Sequence, residues 1–316
     1  MMTYEKYLYP KIQPYEKDFL KVDKIHQIYY EVSGNKNGIS IFYIHGGPGG
    51  GTSENCRRYF DPKHYKIILI DQRGCGKSLP LLELKNNNTQ CLIEDIEKIR
   101  QHLNLNKIIL FGGSWGTTLS LLYAIKYPHN VQCLILRGVF LARKEDINWL
   151  YQEGASYLKP IEYERYISLL NEKQKKNIIN NYHLLMNCDN EKIRHKAFIE
   201  WSRWEDCLIS VNKSKFNEKD IKSIQEIALL ENHFFYNNSF IEENYILNNI
   251  SKIKNIKTYI VHGELDLDCR PSGAYELHKK LPNSQLFLLP KTGHTQREVK
   301  ITQKLIEITN MIIKDI

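Results

Sequence analysis

Long apolar runs are missing from this sequence. No stretch of about 18 uncharged apolar residues occurs, so no membrane span is expected. The opening Met1-Met2-Thr3-Tyr4-Glu5-Lys6 lacks the apolar segment that a secretory signal needs. Paired cysteines are missing too. The seven cysteines (Cys56, Cys75, Cys91, Cys133, Cys188, Cys207, Cys269) are odd in number and show no CxxC spacing. A disulfide framework or a zinc site is therefore not expected, and reduced thiols in a cytoplasmic setting fit better. The net charge is +8, yet the lysines are scattered among Asn, Ile and Glu, and no dense basic block carries interleaved aromatics. Nucleic acid is not an expected partner. Nucleotide-binding signatures are also absent. The glycine run at 45–51 has neither the Gly-Lys-Ser/Thr ending of a phosphate loop nor the spacing Gly-x-Gly-x-x-Gly. Gly74-Cys75-Gly76-Lys77-Ser78 resembles a phosphate-loop tail but lacks the preceding glycine spacing, so it reads as a tight turn braced by Asp71 and Arg73.

What remains is an ordinary globular composition, 42% hydrophobic and 25% charged, long enough for one large core. After a polar lead-in, Gln27 to Val32 alternates and runs into Ser33–Gly38, a hairpin-type turn. Continuous β-branched and aromatic runs follow at Ile39 to Ile44 and Tyr65 to Ile70. A helix is predicted from Cys91 to Leu103, with Leu92, Ile96, Ile99 and Leu103 on one face. Then come a strand at Lys107 to Leu110, a helix at Thr117 to Tyr127, and a strand at Cys133 to Leu136. Unbroken apolar strands separated by helices predict an α/β fold, a mostly parallel sheet flanked by helices.

The alternation stops near Arg143. To about Asn244 there is no convincing strand, only aromatic-rich amphipathic segments at 149–158, 162–170, 191–204 and 221–230. The sheet resumes with Lys257 to His262, a helix over Pro271 to Leu281, Gln285 to Leu289, and a helix over Val299 to Ile312. Residues 1–142 and 245–316 thus form a discontinuous core, and 143–244 is expected to be a helical cap over the sheet's carboxyl edge.

The organising stretch is Phe111-Gly112-Gly113-Ser114-Trp115-Gly116, a Gly-x-Ser-x-Gly turn between strand and helix. Such an elbow holds a serine hydroxyl clear of the sheet, and its glycines permit close approach of strand and helix. A serine needs a base and the base needs an acid, in the chain order serine, acid, histidine for this kind of elbow. Downstream, the strand ending at His262 runs into Gly263-Glu264-Leu265-Asp266-Leu267-Asp268, and the last strand runs into Gly293-His294. Ser114, Asp266 and His294 are the expected triad, with Asp268 and Glu264 as alternative acids. The oxyanion donors are expected to be the amides of Trp115 and Gly47, or Gly46 in place of Gly47. No metal or organic cofactor is implied.

His45-Gly46-Gly47-Pro48-Gly49, Asp71-Gln72-Arg73-Gly74, Gly112-Gly113-Ser114-Trp115-Gly116, Trp201-x-x-Trp204-Glu205, Glu231-x-His233-x-Phe235 and Val261-His262-Gly263-x-x-Asp266 together resemble the proline iminopeptidases, of the α/β-hydrolase superfamily. The likeness runs almost end to end. It implies the α/β-hydrolase fold with an inserted cap, and a serine exopeptidase acting on small peptides with an N-terminal proline. It further implies that Glu205 and Glu231 hold the free amine, and that Phe140, Phe235 and Cys269 line the ring pocket. Departures are Phe234 where tyrosine is common, Cys75 where serine is common, Leu150 where an aromatic is usual, and an extra arginine, Arg270, before Pro271. A carboxylesterase or amino-acid amidase with no need of a free amine is the alternative.

Overall fold

The structure, a computed structural model, describes residues 3–211 and 216–315; Met1 and Met2, read above, lie outside the described residues. The chain begins with β1 (Glu16–Lys21), β2 (Gln27–Gly34), β3 (Ile39–Ile44) and β4 (Tyr65–Ile70). Helix α1 (Thr89–His102), β5 (Ile108–Gly113), α2 (Trp115–Lys126) and β6 (Val131–Arg137) follow. Among the described residues, the elements between β6 and the next strand are all helices, chiefly α3 (Lys144–Tyr151), α4 (Pro160–Ile167), α5 (Ile178–Met186), α6 (Glu191–Leu208), α7 (Ile221–Tyr236) and the short α8 (Tyr245–Asn248). The chain closes with β7 (Lys257–Gly263), α9 (Pro271–Lys280), β8 (Ser284–Leu289) and α10 (Val299–Asp315).

The strands form one sheet in the order β1-β2-β4-β3-β5-β6-β7-β8. Pairing is parallel from β4 to β8 and antiparallel where β2 meets β1 and β4. The unbroken apolar runs have a direct cause, because alternate residues serve two different cores. Phe42, Ile44, Ile108 and Leu110 pack with α1, α2 and α9 on one face. Ile41, Tyr43, Ile109 and Phe111 pack with Tyr59, Phe60 and the apolar face of α10 on the other. A strand covered on both sides has no polar face to show.

Three expectations are corrected. The polar lead-in contains a strand, β1, which the sequence conceals because an edge strand exposed along most of its length needs no apolar alternation. The turn after β2 forms, but it closes no β2–β3 hairpin; β4 lies between those two strands. The segment 149–158 is not one helix: α3 ends at Tyr151, and at Gly154 a Cβ would stand 2.5 Å from the Trp149 ring. Helix α5 is an addition, its Asn180-Asn181 pair masking a buried face of Ile178, Ile179, Tyr182 and Met186.

The helical segment is tied to the core beside the sheet's carboxyl end. Trp149 Nε1 donates to Leu267 O at 2.9 Å, Lys222 Nζ to Gly76 O at 2.6 Å, and Thr89 Oγ1 to Ser239 O. Arg270 donates to Asp146 Oδ1 at 2.6 Å, and Arg143 grips Asp146 and Glu276. The arginine that departs from the family pattern is thus a strut between the Asp266 loop and α3.

The tightest constraint lies where β3, β5 and α2 meet. A Cβ at Gly116 would lie 2.1 Å from Ile44 O, which is backbone and cannot yield. Gly116→Ala is expected to lower unfolding stability by about 3 kcal/mol or to prevent folding, as read from the denaturant midpoint of the soluble fraction. Wild-type stability in that variant would show that strand and helix are not so close.

Candidate active site

Ser114 caps β5 at the mouth of α2 with φ 57° and ψ −125°, a backbone conformation that a non-glycine residue adopts only under constraint. It is held by hydrogen bonds on both sides. Its amide donates to Arg137 O at 2.9 Å, and its carbonyl accepts from Thr117 N and Thr117 Oγ1, both at 2.7 Å. The hydroxyl therefore projects into the space under the helical segment, with Cys269 Sγ at 4.0 Å. The amide of Trp115, first in α2, has no carbonyl a turn earlier to pair with. Opposite it runs the glycine loop, where a Cβ on Gly46 would meet Ser114 Cβ at 3.1 Å and Gly47 has φ +106°. One side chain spans both donor elements: Gln72 Nε2 donates to His45 O at 2.8 Å, and its Oε1 accepts from Trp115 Nε1 at 3.1 Å. Asp71 fastens the same loop, accepting from Thr52 N and Oγ1 at 2.7 Å.

On the loops after β7 and β8, His294 Nδ1 meets Asp266 Oδ2 at 2.7 Å. Asp266 is itself fixed by the amides of Asp268 and Cys269, at 3.0 and 2.8 Å on Oδ1, and by His262 Nε2 at 3.2 Å. Of the three candidate acids, Asp266 is the one on Nδ1. The other ring nitrogen is not turned to the serine. Nε2 lies 2.9 Å from Asp268 Oδ2 and 2.9 Å from Arg137 Nη1, and among the described residues no hydrogen bond joins it to Ser114. The expected direct contact between imidazole and hydroxyl is absent because those two side chains occupy the nitrogen.

Behind Ser114 a narrow cavity of about 10 Å³ is walled by Phe140, Leu150, Tyr151, Phe235, Cys269 and the carboxylates of Glu205 and Asp268, with Gly47 at its rim. That is room for a water at most, so side chains must part to admit a ring. In front of the serine a cleft of about 520 Å³ opens between the glycine loop, His294, Asp220 and Phe216. Glu205 and Glu231 come from neighbouring helices, α6 and α7, and hydrogen-bond each other. Tyr151 Oη donates to both, at 3.4 and 3.2 Å, and Trp201 Nε1 donates to Glu231 at 2.8 Å. Trp201 lies stacked on Tyr151 with 4.2 Å between ring centres, while Trp204 donates to Leu150 O and packs on Tyr163 and Tyr166. Phe234 packs its edge on Trp115.

A family model for the alpha/beta hydrolase fold matches residues 39–298. A protein named as a probable proline iminopeptidase from Leptolyngbya boryana is 42% identical over 312 residues, covering 97% of each chain. A proline iminopeptidase of Arabidopsis thaliana is 40% identical over 304 residues, 95% of this chain and 80% of that one. The chain belongs to the proline iminopeptidase family of α/β-hydrolases. Among solved structures, an esterase from Exiguobacterium antarcticum superposes with a TM-score of 0.64 at 19% identity, covering 95% of this chain and all of the other. That distant likeness carries the fold alone.

For a member of this family, the charge balance of the pocket is the informative part. Burial raises Glu231 to about 7, although hydrogen bonds from Glu205, Trp201 and Tyr151 pull the other way. Burial, and then the charge of Glu231, raises Glu205 well above the usual carboxylate range. A hydrogen bond between two carboxyl groups requires a proton, so substrate-free the pair keeps one. Glu231 Oε1 is nonetheless buried with no partner. Burial would depress His294, but Asp266 and Asp268 outweigh it and lift the imidazole to about 9, with Arg137 opposing them. Asp266 stays ionised: burial would raise it, yet His294 and His262 hold it below the ordinary range. Sequence reasoning missed Tyr151, Arg137 and the placement of Asp268 on Nε2; residues that meet only through the fold leave no spacing to read.

Glu231 binds its proton more tightly folded than unfolded, so its contribution to stability is lost as pH rises from about 4.5 to about 7. Glu231→Gln should flatten that decline, gaining on the wild type by up to about 3 kcal/mol across the window. Denaturant unfolding at a series of pH values checks this. Parallel curves for the two proteins would contradict it.

Proposed function

We propose that this protein is a serine exopeptidase that releases N-terminal proline from small peptides, with Ser114, His294 and Asp266 as its triad. One observation carries the reading: two carboxyl groups stand side by side, Glu205 partly buried on the wall of the cavity behind the elbow serine and Glu231 fully buried beside it with an oxygen left unpartnered. A buried carboxyl pair is costly unless a cation completes it. The protonated secondary amine of an N-terminal proline is such a cation. The names of the relatives from Leptolyngbya and Arabidopsis support the same substrate.

The steps follow from that placement. The amine displaces the shared proton of Glu205 and Glu231, which passes to water through the front cleft that Glu205 borders, and Phe140, Phe235 and Leu150 move apart to take the ring. The scissile carbonyl then lies over Ser114 Oγ, its oxygen toward the amides of Trp115 and Gly47. Once its Nε2 turns from Asp268 and Arg137 to the serine, His294 takes the hydroxyl proton as Oγ bonds to the carbonyl carbon, then gives it to the departing amine. Asp266 holds Nδ1 and stabilises the imidazolium. The shortened peptide leaves through the front cleft, and water hydrolyses the prolyl ester. Residues 143–244 act as a cap that limits the cavity to one residue before the scissile bond, over a core of 1–142 and 245–316. The unpaired cysteines support a cytoplasmic setting. Among the described residues no helix is long and apolar enough to cross a membrane.

Comparison of proline, alanine and N-acetylproline arylamides tests the reading. Proline arylamide should be cleaved best and the acetylated one not at all, and Ser114→Ala should lose at least three orders of magnitude in kcat. Glu205→Gln and Glu231→Gln should each lose roughly tenfold to a hundredfold in kcat/KM. Equal turnover of the acetylated substrate would mean an esterase or amidase indifferent to the amine.

A further inference from the structure

Asp268 has no place in the mechanism above, yet it is the residue on the nitrogen that must accept the serine proton. Its Oδ2 lies 2.9 Å from His294 Nε2, and its Oδ1 is buried without a partner. The side chain also walls the narrow cavity together with Glu205, so it borders the space assigned to the amine. Nε2 faces opposite demands. A bond to the Asp268 carboxylate needs a proton on the nitrogen, whereas Arg137 Nη1, also at 2.9 Å, can only donate and needs the lone pair. With Asp268 and Asp266 both on the ring, the imidazolium is favoured, and an imidazolium cannot act as a base.

We propose that Asp268 is a partner-exchanging carboxylate: substrate-free it pairs with His294 Nε2 and keeps the ring charged, and the substrate's ammonium group takes it away and releases the ring to Ser114. This rests on the exopeptidase reading. In the exchange, Asp268 loses its bond from Nε2–H and gains one from the ammonium nitrogen. The Nε2 proton passes to bulk water through the front cleft, which His294 borders. The neutral imidazole then turns its lone pair from Arg137, which keeps its bond to His294 O at 3.1 Å, to the Ser114 hydroxyl. The groups facing the ring are Asp266, Asp268 and Cys269 from the loop after β7, Arg137 from the end of β6, and Glu205 from α6. Asp268 is the anion among them that both touches Nε2 and borders the cavity. The device makes the base available when a cationic amine is bound and leaves the serine quiet otherwise.

Two reactions on one variant test this. Phosphorylation of Ser114 by diisopropyl fluorophosphate needs the base but no amine, whereas cleavage of proline arylamide needs both. In Asp268→Asn the acid limb of the fluorophosphate inactivation rate should move down by about 1 pH unit or more, so inactivation at pH 7 becomes several-fold faster. In the same variant kcat/KM for proline arylamide should fall roughly tenfold to a hundredfold, mostly through KM. A rate that rises in one assay and falls in the other is not the mark of a loosened fold. Parallel losses in both, or an unmoved acid limb, overturn the proposal. Should the variant not fold, the wild type serves: the His294 ring resonances, identified by their loss in His294→Ala, should titrate near 9 and shift to lower pH on adding pyrrolidinium. An unchanged titration at saturating pyrrolidinium also overturns it. If the wild type reacts with the fluorophosphate but does not cleave proline arylamide, the exopeptidase reading fails instead.

Discussion

Excess negative charge in a dry pocket is the constraint on which the rest of this structure depends. Glu231, Asp266 and Asp268 are shielded from water within one small region with Glu205 partly buried beside them, and His294 and Arg137 are the cationic side chains that touch it. Isolated buried carboxylates are expensive, so the pocket holds protons where it can and donors where it cannot. Tyr151 and Trp201 donate to the glutamates, two backbone amides and two imidazoles to Asp266. Among its carboxyl oxygens, one on Glu231 and one on Asp268 remain unsatisfied. A substrate that brings a cation is therefore matched by a site whose four carboxyl groups outnumber its two cationic side chains.

Holding such a site together requires rigid surroundings, and they come from two sources. Below, the sheet's strand ends and the start of α2 approach so closely that Gly112 and Gly116 have no space for a side chain. Above, stacked aromatic rings (Tyr151 on Trp201, Tyr166 on Trp204 and Tyr182) fill the helical segment with flat, poorly compressible groups. The strut of Arg143, Asp146 and Arg270 then joins α3 to the very loop that carries Asp266 and Asp268. Both halves of the pocket are referred to one frame.

How much of this was legible in the sequence depends on what burial writes into it. The strands from β3 to β7 were plain, because residues covered on both faces must be apolar throughout. Strand β1 was not, since an exposed edge imposes no pattern, and α5 was hidden by its asparagines. The elbow was legible because steric limits dictate its glycines. Chain order brought out Asp266 and His294, which do meet. Glu205 and Glu231 came only from the family likeness, as nothing in their spacing says that α6 and α7 lie side by side. Asp268 and Arg137 on Nε2 could not be read at all: a buried charge is defined by what surrounds it, and that is a property of the folded chain.

The two spaces around Ser114 are unequal in size, about 10 Å³ behind it and about 520 Å³ before it. On the reading proposed here this fixes a sequence of departures. The longer fragment can exit at once through the large cleft, while the acylated residue stays held in the narrow space until water arrives from that vacated side. Free proline must then vacate the narrow space, which has no room for a second ring, so a rival peptide cannot seat its first residue until that product has gone.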